Sequence, residues 1–458
     1  MSHRMSRREA LKAMGLGAAA LGVPRSAEAI PPARRPNIIF ILADDLGYGD
    51  VGCYGQERIQ TPRIDQLARE GVRFTDCYSG STVCAPSRCC LMTGLHTGHA
   101  RIRGNADVPL RPEDQTVAET LKAAGYATGI VGKWGLGNAG TTGIPNRQGF
   151  DEWFGYLDQT LAHNYYPPTL WRNEREVPLL GNQNGATNEY SHDLFTREAE
   201  AFIRRHAGGP FFLYLAYTIP HANNELGAKT GNGMEVPSDV PYTDQPWPQP
   251  EKNKAAMITR MDRDIGHLMD VLEELDIEED TIVFFSSDNG PHKEGGIAPA
   301  FFGSSGPLRG IKRAMYDGGI RVPMIVRWPG RTPAGAVSDY PWAFWDFLPT
   351  AAQLGGAPIP KGLDGLSVVP ALLGQPGPER EYLYWEFHEG GFSQALRMGR
   401  WKAVRNSRRS APIELYDITT DIGEQTDVST VHPELVAKAE KLFVSARTDS
   451  PEFAVKEE

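Results

Sequence analysis

From Asn37 onward the chain repeats one pattern: an unbroken apolar run, a polar loop, then apolar positions recurring every three or four residues. Asn37-Ile38-Ile39-Phe40-Ile41-Leu42 is such a run, the mark of a strand buried on both faces of a parallel sheet, and it stops at Asp44-Asp45. Thr61 to Glu70 reads as a helix, with Pro62 early and Gly71 as the stop. Glu113 to Ala124 reads as another and feeds a strand from Ala127 to Val131 that runs into Lys133. An amphipathic helix over Ser191 to His206 precedes a strand over Phe211 to Tyr217 and then Pro220-His221. Met257, Met261, Ile265, Leu268, Leu272 and Leu275 form the core stripe of a further helix. Thr281 to Ser287 is a strand running into Asp288-Asn289, and Val322 to Arg327 is one more.

This alternation predicts an α/β fold: a large, mostly parallel sheet sandwiched by helices. Four of its strands end in polar groups, at Asp44-Asp45, Lys133, His221 and Asp288-Asn289. Ligands of open α/β sheets bind outside the carboxyl ends of the strands, so residues as distant as Asp44 and Asp288 should meet on one rim. After Gln375-Pro376-Gly377-Pro378 the texture changes to short strands over Tyr382–Phe387, Gln394–Met398, Trp401–Arg405 and Glu414–Asp417, closed by a helix over His432–Ser445. These predict a small C-terminal antiparallel sheet plus helix, residues 376–458, beside a main domain of residues 30–375. Met234 to Pro250, rich in proline and acid, reads as a loop at the rim of the site.

Cys84-Ala85-Pro86-Ser87-Arg88 reads as a loop turning into a helix, since proline is pre-organised for the first helical turn. Cys84 then sits at a helix N-terminus, where free N–H groups and the macrodipole favour an anion, with Arg88 aimed at the same point. Asp44, Asp45, Asp288 and Asn289 offer three carboxylates and one amide oxygen. That set suits a hard divalent cation, calcium before magnesium. Basic groups should surround an anion there, and Arg88, Lys133 and His221 are candidates. Arg309 and Arg321 read as structural.

Composition narrows the picture. The 458 residues carry a net charge of −10, which argues against a general nucleic-acid binder. Residues 1–29 read as a targeting segment. Ser6-Arg7-Arg8-Glu9-Ala10-Leu11-Lys12 precedes an apolar run from Ala13 to Val23 and the Ala27-Glu28-Ala29 cleavage pattern. That run falls short of the ~20 residues a bilayer span needs, so the chain is expected not to be integral to a membrane. Of five cysteines, four remain once Cys84 is set aside, and these could pair in an oxidising compartment; Cys89 and Cys90 read as packed thiols.

The motif Cys-x-Pro-Ser-Arg-x-x-x-x-Thr-Gly resembles the signature of the type I, arylsulfatase-like sulfatases of the alkaline phosphatase superfamily. Gly132-Lys133-Trp134-Gly135-Leu136-Gly137 resembles that family's second signature, and the stretch from Leu308-Arg309-Gly310-Ile311-Lys312 to Asp317-Gly318-Gly319-Ile320-Arg321-Val322-Pro323 also matches it. The resemblance implies a sulfatase that hydrolyses sulfate monoesters. In the family a maturation enzyme oxidises the cysteine to formylglycine, whose hydrated aldehyde attacks sulfur. Residues matching Asp44, Asp45, Asp288 and Asn289 hold the metal, with an oxygen from position 84. Only by the same resemblance does Lys312 join Arg88, Lys133 and His221 around the sulfate, and His221 or Lys312 protonates the leaving alcohol. The N-terminal segment resembles a twin-arginine export signal, which implies the Tat machinery as a partner and a periplasmic or secreted protein.

One departure stands out. Many sulfatases read Gly-Lys-Trp-His-Leu-Gly, and that histidine helps expel sulfate; here the position is Gly135, and His163 is the nearest substitute. The resemblance favours a sulfated sugar or polysaccharide as substrate. Trp153-Phe154-Gly155-Tyr156, His163 to Tyr166 and Trp171-Arg172-Asn173 form a cluster suited to stacking on it. A phosphonate or phosphodiester hydrolase of the same superfamily and a non-catalytic sulfated-glycan binder are the competing expectations.

Overall fold

The computed structural model describes residues 35–455; the signal read over residues 1–29 lies outside the described residues. The strands are β1 (Asn37–Ala43), β2 (Val72–Phe74), β3 (Cys77–Tyr78), β4 (Ala127–Lys133), β5 (Glu152–Tyr156), β6 (Thr169–Arg172), β7 (Arg175–Pro178) and β8 (Phe211–Ala216). They continue as β9 (Thr281–Ser287), β10 (Met324–Arg327), β11 (Ala336–Ser338), β12 (Trp342–Ala343), β13 (Leu383–Phe387), β14 (Ser393–Met398), β15 (Trp401–Arg405) and β16 (Glu414–Asp417). Ten of them form one sheet in the order β11-β2-β10-β9-β1-β8-β4-β5-β6-β7. The central five, β9, β1, β8, β4 and β5, are parallel.

The unbroken apolar runs have a simple cause. Ile38, Phe40 and Leu42 of β1 enter one core, and Ile39, Ile41 and Ala43 enter the other. The first core is roofed by the helices Cys84–Thr93, Val117–Ala123 and Phe347–Gly355, the second by Pro62–Glu70, Ser191–His206 and Gln249–Glu274. Both faces of β1 are therefore dry, which fits a strand with helices on each side.

β10 departs from the expected alternation and runs antiparallel to β9. The segment between them holds only the short helices Pro299–Phe302 and Asp317–Ile320, not a crossover helix. The chain therefore re-enters the sheet from the rim where it left, so β10 must run back. The helix expected from Glu113 begins at Val117, because Thr116 and Glu119 form a capping box.

β13–β16 form a four-stranded antiparallel sheet, with the helix Pro433–Ser445 against β14. The sheet is keyed to the main core by charge as well as apolar contact. The Trp385 indole N–H donates to the Ser79 carbonyl at 2.9 Å, and Arg397 pairs with Asp76 at 2.6 Å. Lys402, fully buried, holds Asp317 at 2.5 Å and Glu424 at 3.4 Å. Burial pushes the Glu424 carboxyl up, and Lys402 only partly offsets this, leaving it at about 7. Lys402→Met should strip two buried carboxylates of their common cation and cost about 3–5 kcal/mol, read as a lowered urea midpoint at unchanged slope.

Arg321 bonds the Thr75 carbonyl and pairs with Asp317 and Asp76, and Arg309 bonds Tyr416 and the Glu424 carbonyl, so both hold the structure together. All five cysteines are free thiols in this structure, and Cys89 and Cys90 are packed in the core. Among the described residues no helix is long and apolar enough to cross a membrane.

Candidate active site

The four polar strand ends meet because β9, β1, β8 and β4 are consecutive in the sheet. Into the space beyond them runs the helix Cys84–Thr93, started by extended Val83 and stopped by Gly94, whose positive φ lets its N–H bond the Cys90 carbonyl. Every residue of this helix is buried, so Cys84 is held from all sides. Asn105 accepts the Ala85 N–H at 3.0 Å, satisfying one orphan donor of the first turn.

Cys84 Sγ lies 3.4 Å from Asp44 Oδ1, 4.0 Å from Asp45 Oδ1 and 3.7 Å from Lys312 Nζ. Lys133 Nζ binds Asp44 Oδ2 at 2.8 Å, and Lys312 Nζ binds Asp45 Oδ2 at 2.7 Å. Arg88 donates through Nε (3.1 Å) and Nη2 (2.8 Å) to Asp288 Oδ2, and through Nη1 to the Lys133 carbonyl at 2.9 Å. His221 Nε2 is 3.2 Å from Lys312 Nζ and 3.4 Å from Asp45 Oδ2, while its Nδ1 donates to the Ala222 carbonyl at 2.7 Å. Asp45 adopts φ +64°, which aspartate tolerates, and its N–H donates to Asp288 Oδ1 at 3.0 Å.

Burial pushes the Asp44 carboxyl up, but Lys133, His221 and Arg88 outweigh this and hold it well below the usual carboxylate range. Burial and the neighbouring Asp44 push Asp288 the other way, to about 7. Burial, then Asp44, raises the Cys84 thiol well above its ordinary value, so as a thiol it is a poor nucleophile. Burial and the Lys312 charge hold His221 well below its ordinary value.

Ligand atoms of Asp44, Asp45, Cys84 and His221 all fall within 4.8 Å of one another, an acidic cluster able to hold a metal ion. Asn289 donates to Asp45 Oδ1 at 2.6 Å, while its own Oδ1 is buried without a partner. An orphaned oxygen beside three buried carboxylates fits a hard cation of the calcium type. His221, expected only around the anion, also belongs to this cluster.

The site opens into a cleft of about 440 Å³ whose lining includes Cys84, Lys133, His163, His221 and Lys312. His163 stacks on His221, with ring centroids 4.7 Å apart and planes at 11°, and its Nδ1 lies 3.2 Å from Glu225 Oε2. Gly135 lies on the lining with φ +77°, and a Cβ there would stand 2.1 Å from Gln159 Nε2. Gln159 thus fills the volume a side chain at 135 would need. Nothing along the sequence ties residue 159 to residue 135; the turn after β5 does.

Two expectations fail here. Residues 234–250 contribute nothing to the cleft lining, which is built instead from loops around Asn105–Val108 and Asp158–His163. Most of the cluster is no sugar platform: Trp153, Phe154, Tyr156 and Tyr165 are buried in the two cores, half-buried Trp171 packs against one of them, and of the cluster His163 alone lines the cleft. Aromatic rings near a site register as binding candidates in sequence, yet on β5 they are the apolar faces of a covered strand.

The sulfatase family model matches residues 36–357. The chain belongs to the sulfatase family. The sulfatase C-terminal region, that of N-sulphoglucosamine sulphohydrolase, matches residues 311–444. Arylsulfatase A of Homo sapiens is 33% identical, over 94% of this chain and 92% of its own. The N-acetylgalactosamine-6-O-sulfatase of Bacteroides thetaiotaomicron is 30% identical, over 91% of this chain and 94% of its own. Among solved structures, Ps i-CgsB in complex with k-i-k-neocarrahexaose has a TM-score of 0.79 at 30% identity, covering 92% of this chain and 95% of that one. This sulfatase is accordingly a type I member of the alkaline phosphatase superfamily and a sulfuric ester hydrolase. A phosphonate monoester hydrolase from Silicibacter pomeroyi, at 20% identity and a TM-score of 0.63, shares the fold.

Proposed function

We propose that this sulfatase is exported and removes sulfate from a sulfated sugar, using formylglycine made from Cys84 and a calcium ion held by Asp44, Asp45, Asp288 and Asn289. One observation carries the reading: Cys84 Sγ, marking where the nucleophilic oxygens would stand, is ringed by two carboxylates and Lys312 within 4.0 Å. Relatives named for N-acetylgalactosamine-6-sulfate support the sugar, and the twin-arginine-like segment supports export by the Tat machinery into the periplasm or beyond. When bound, the cation supplies Lewis-acid polarisation of a sulfate oxygen and favours the deprotonated nucleophile; magnesium would do so with fewer ligands.

The chain's own residues do the rest. Arg88 neutralises Asp288 and braces the Lys133 backbone, fixing the floor on which sulfate sits. Lys133 and Lys312, each already on a carboxylate, place two cations beside position 84 to offset charge building on the sulfate oxygens. His221 and Lys312, 3.2 Å apart, hold the proton that the departing alcohol needs. His221→Ala should lower kcat about 10²–10³-fold for alkyl and sugar sulfates but far less for 4-nitrophenyl sulfate, whose leaving group needs no proton. An equal loss on both substrate types would remove the proton from His221.

His163 takes the proton of the second hydroxyl in place of the residue missing at Gly135. Its Nδ1–H donated to Glu225 would leave Nε2 as the acceptor. His163→Ala should cut turnover of a small sulfate ester about 10²-fold or more; a loss of only a few-fold rejects this role. The whole reading is tested by mass spectrometry of the tryptic peptide carrying Cys84, from protein made in its native host, with a panel of nitrophenyl sulfate, phosphate and phosphonate esters. Formylglycine and a preference for sulfate are expected; unmodified cysteine sinks the enzyme mechanism, and preferred phosphonate turnover sinks the substrate.

A further inference from the structure

A proton held on His221 is useful only if the ring is held too. The turn that carries it, Thr218-Ile219-Pro220-His221, follows β8 and belongs to no helix or strand. Each of its four carbonyls is taken by a donor from elsewhere in the chain. The Tyr165 O–H is shared between the Thr218 carbonyl, at 2.7 Å, and that of His221. The Asp44 N–H donates to the Ile219 carbonyl at 3.3 Å, and His292 Nε2 donates to that of Pro220 at 3.1 Å. Leaving a buried carbonyl without a donor is costly, so the turn stays where these three groups meet it.

His292 is 1% exposed and does not line the cleft, so it reaches no substrate. Its Nδ1 accepts the Glu294 N–H at 3.1 Å. That backbone donor leaves the ring proton on Nε2 and aims it at Pro220. With one nitrogen accepting and the other donating, no lone pair remains for a cation, although His292, Asp45 and Glu294 stand close enough to hold one. The His292 ring also packs 5.5 Å from that of His221, with planes at 30°. Only Gly290-Pro291 separates it from Asp288-Asn289. Its bond to Pro220 therefore ties the loop bearing two of the oxygen ligands to the turn bearing the proton.

We propose that His292 is a positioning residue for His221: through the bond from Nε2 to the Pro220 carbonyl it holds the His221 imidazole beside Lys312 and Asp45, where the leaving alcohol is protonated. The assignment rests on the reading of His221 as a holder of that proton.

Steady-state kinetics of His292→Leu on an alkyl sulfate and on 4-nitrophenyl sulfate provide the test. Leucine fills the site without a donor. A misplacement of about 1 Å costs on the order of 10²-fold, so kcat for the alkyl sulfate is expected to fall about 30- to 100-fold with KM moving less than about twofold, and the aryl sulfate to lose far less. His292→Gln, whose amide N–H can reach Pro220, should restore kcat to within about threefold of wild type. In His221→Ala/His292→Leu, kcat should match that of His221→Ala alone to within about twofold, because a residue acting through another adds nothing once the other is gone. Losses that multiply in the double variant, or a His292→Leu enzyme as fast as wild type, overturn the proposal. Circular dichroism reports folding. His292→Asn, which keeps an acceptor for the Glu294 N–H but stops short of Pro220, carries the same comparisons if the leucine protein does not fold. Should His221→Ala slow both substrates equally, the proton reading fails, while the double variant still decides whether His292 acts through His221.

Discussion

Cys84→Ala is expected to lower kcat for 4-nitrophenyl sulfate by at least about 10⁴-fold, the scale on which removal of a nucleophile is felt. The loss should be chemical rather than structural. Deleting one sulfur from a fully buried position forfeits on the order of 1 kcal/mol of burial, and Val83, Pro86 and Gly94 still start and stop the helix. Circular dichroism and the thermal midpoint should therefore stay near wild type while turnover vanishes. Cys84→Ser sharpens the point: it places a hydroxyl at the same position, and under the proposed formylglycine mechanism a serine left unoxidised there supplies no geminal diol and should be as inactive as alanine. Activity in either variant above about a hundredth of wild type would place the nucleophile elsewhere.

Asp288→Asn is the second large effect, with an expected fall in kcat of about 10³-fold and loss of the response to calcium. The side chain keeps its shape but loses the charge that Arg88 grips through two nitrogens. Arg88 is left with Asp44 at 3.6 Å, so part of the cost is a buried guanidinium with half its compensation. The decisive readout is thermal. Calcium at a hundred times its Kd should stabilise the wild-type protein by about 2.7 kcal/mol over an EDTA-treated sample; in the variant the two curves should coincide. A calcium-induced rise of equal size in both proteins would show that Asp288 is not a ligand, whatever happens to turnover.

Parts of this were legible in order along the chain. Continuous apolar runs such as Ile38–Leu42 and Phe211–Ala216 can be satisfied only by dry surroundings on both sides, which dictates a parallel sheet between helices. A polar group at the end of each such run is then a group at the sheet's carboxyl edge. Asp44-Asp45, Lys133, His221 and Asp288-Asn289 were therefore placed on one rim by local pattern alone. The Pro-Ser-Arg turn after Cys84 likewise carries its own geometry, because proline and the glycine at 94 act within a few residues.

Other parts depend on which distant segments pack together, and no local pattern encodes that. The direction of β10 follows from an excursion over residues 288–323 that stays on the rim, and the burial of Trp153 and Tyr156 follows from the layers covering β5. Gln159 over Gly135, His163 stacked on His221, and His292 on the Pro220 carbonyl arise where loops from separate strands are forced against one another by the sheet order. The sequence by itself determined the chemistry available at the rim, since side-chain identity and strand periodicity are local properties. Only the tertiary structure decided which of those groups touch, and it did so because contact distances of 3–4 Å depend on chain packing rather than on chain order.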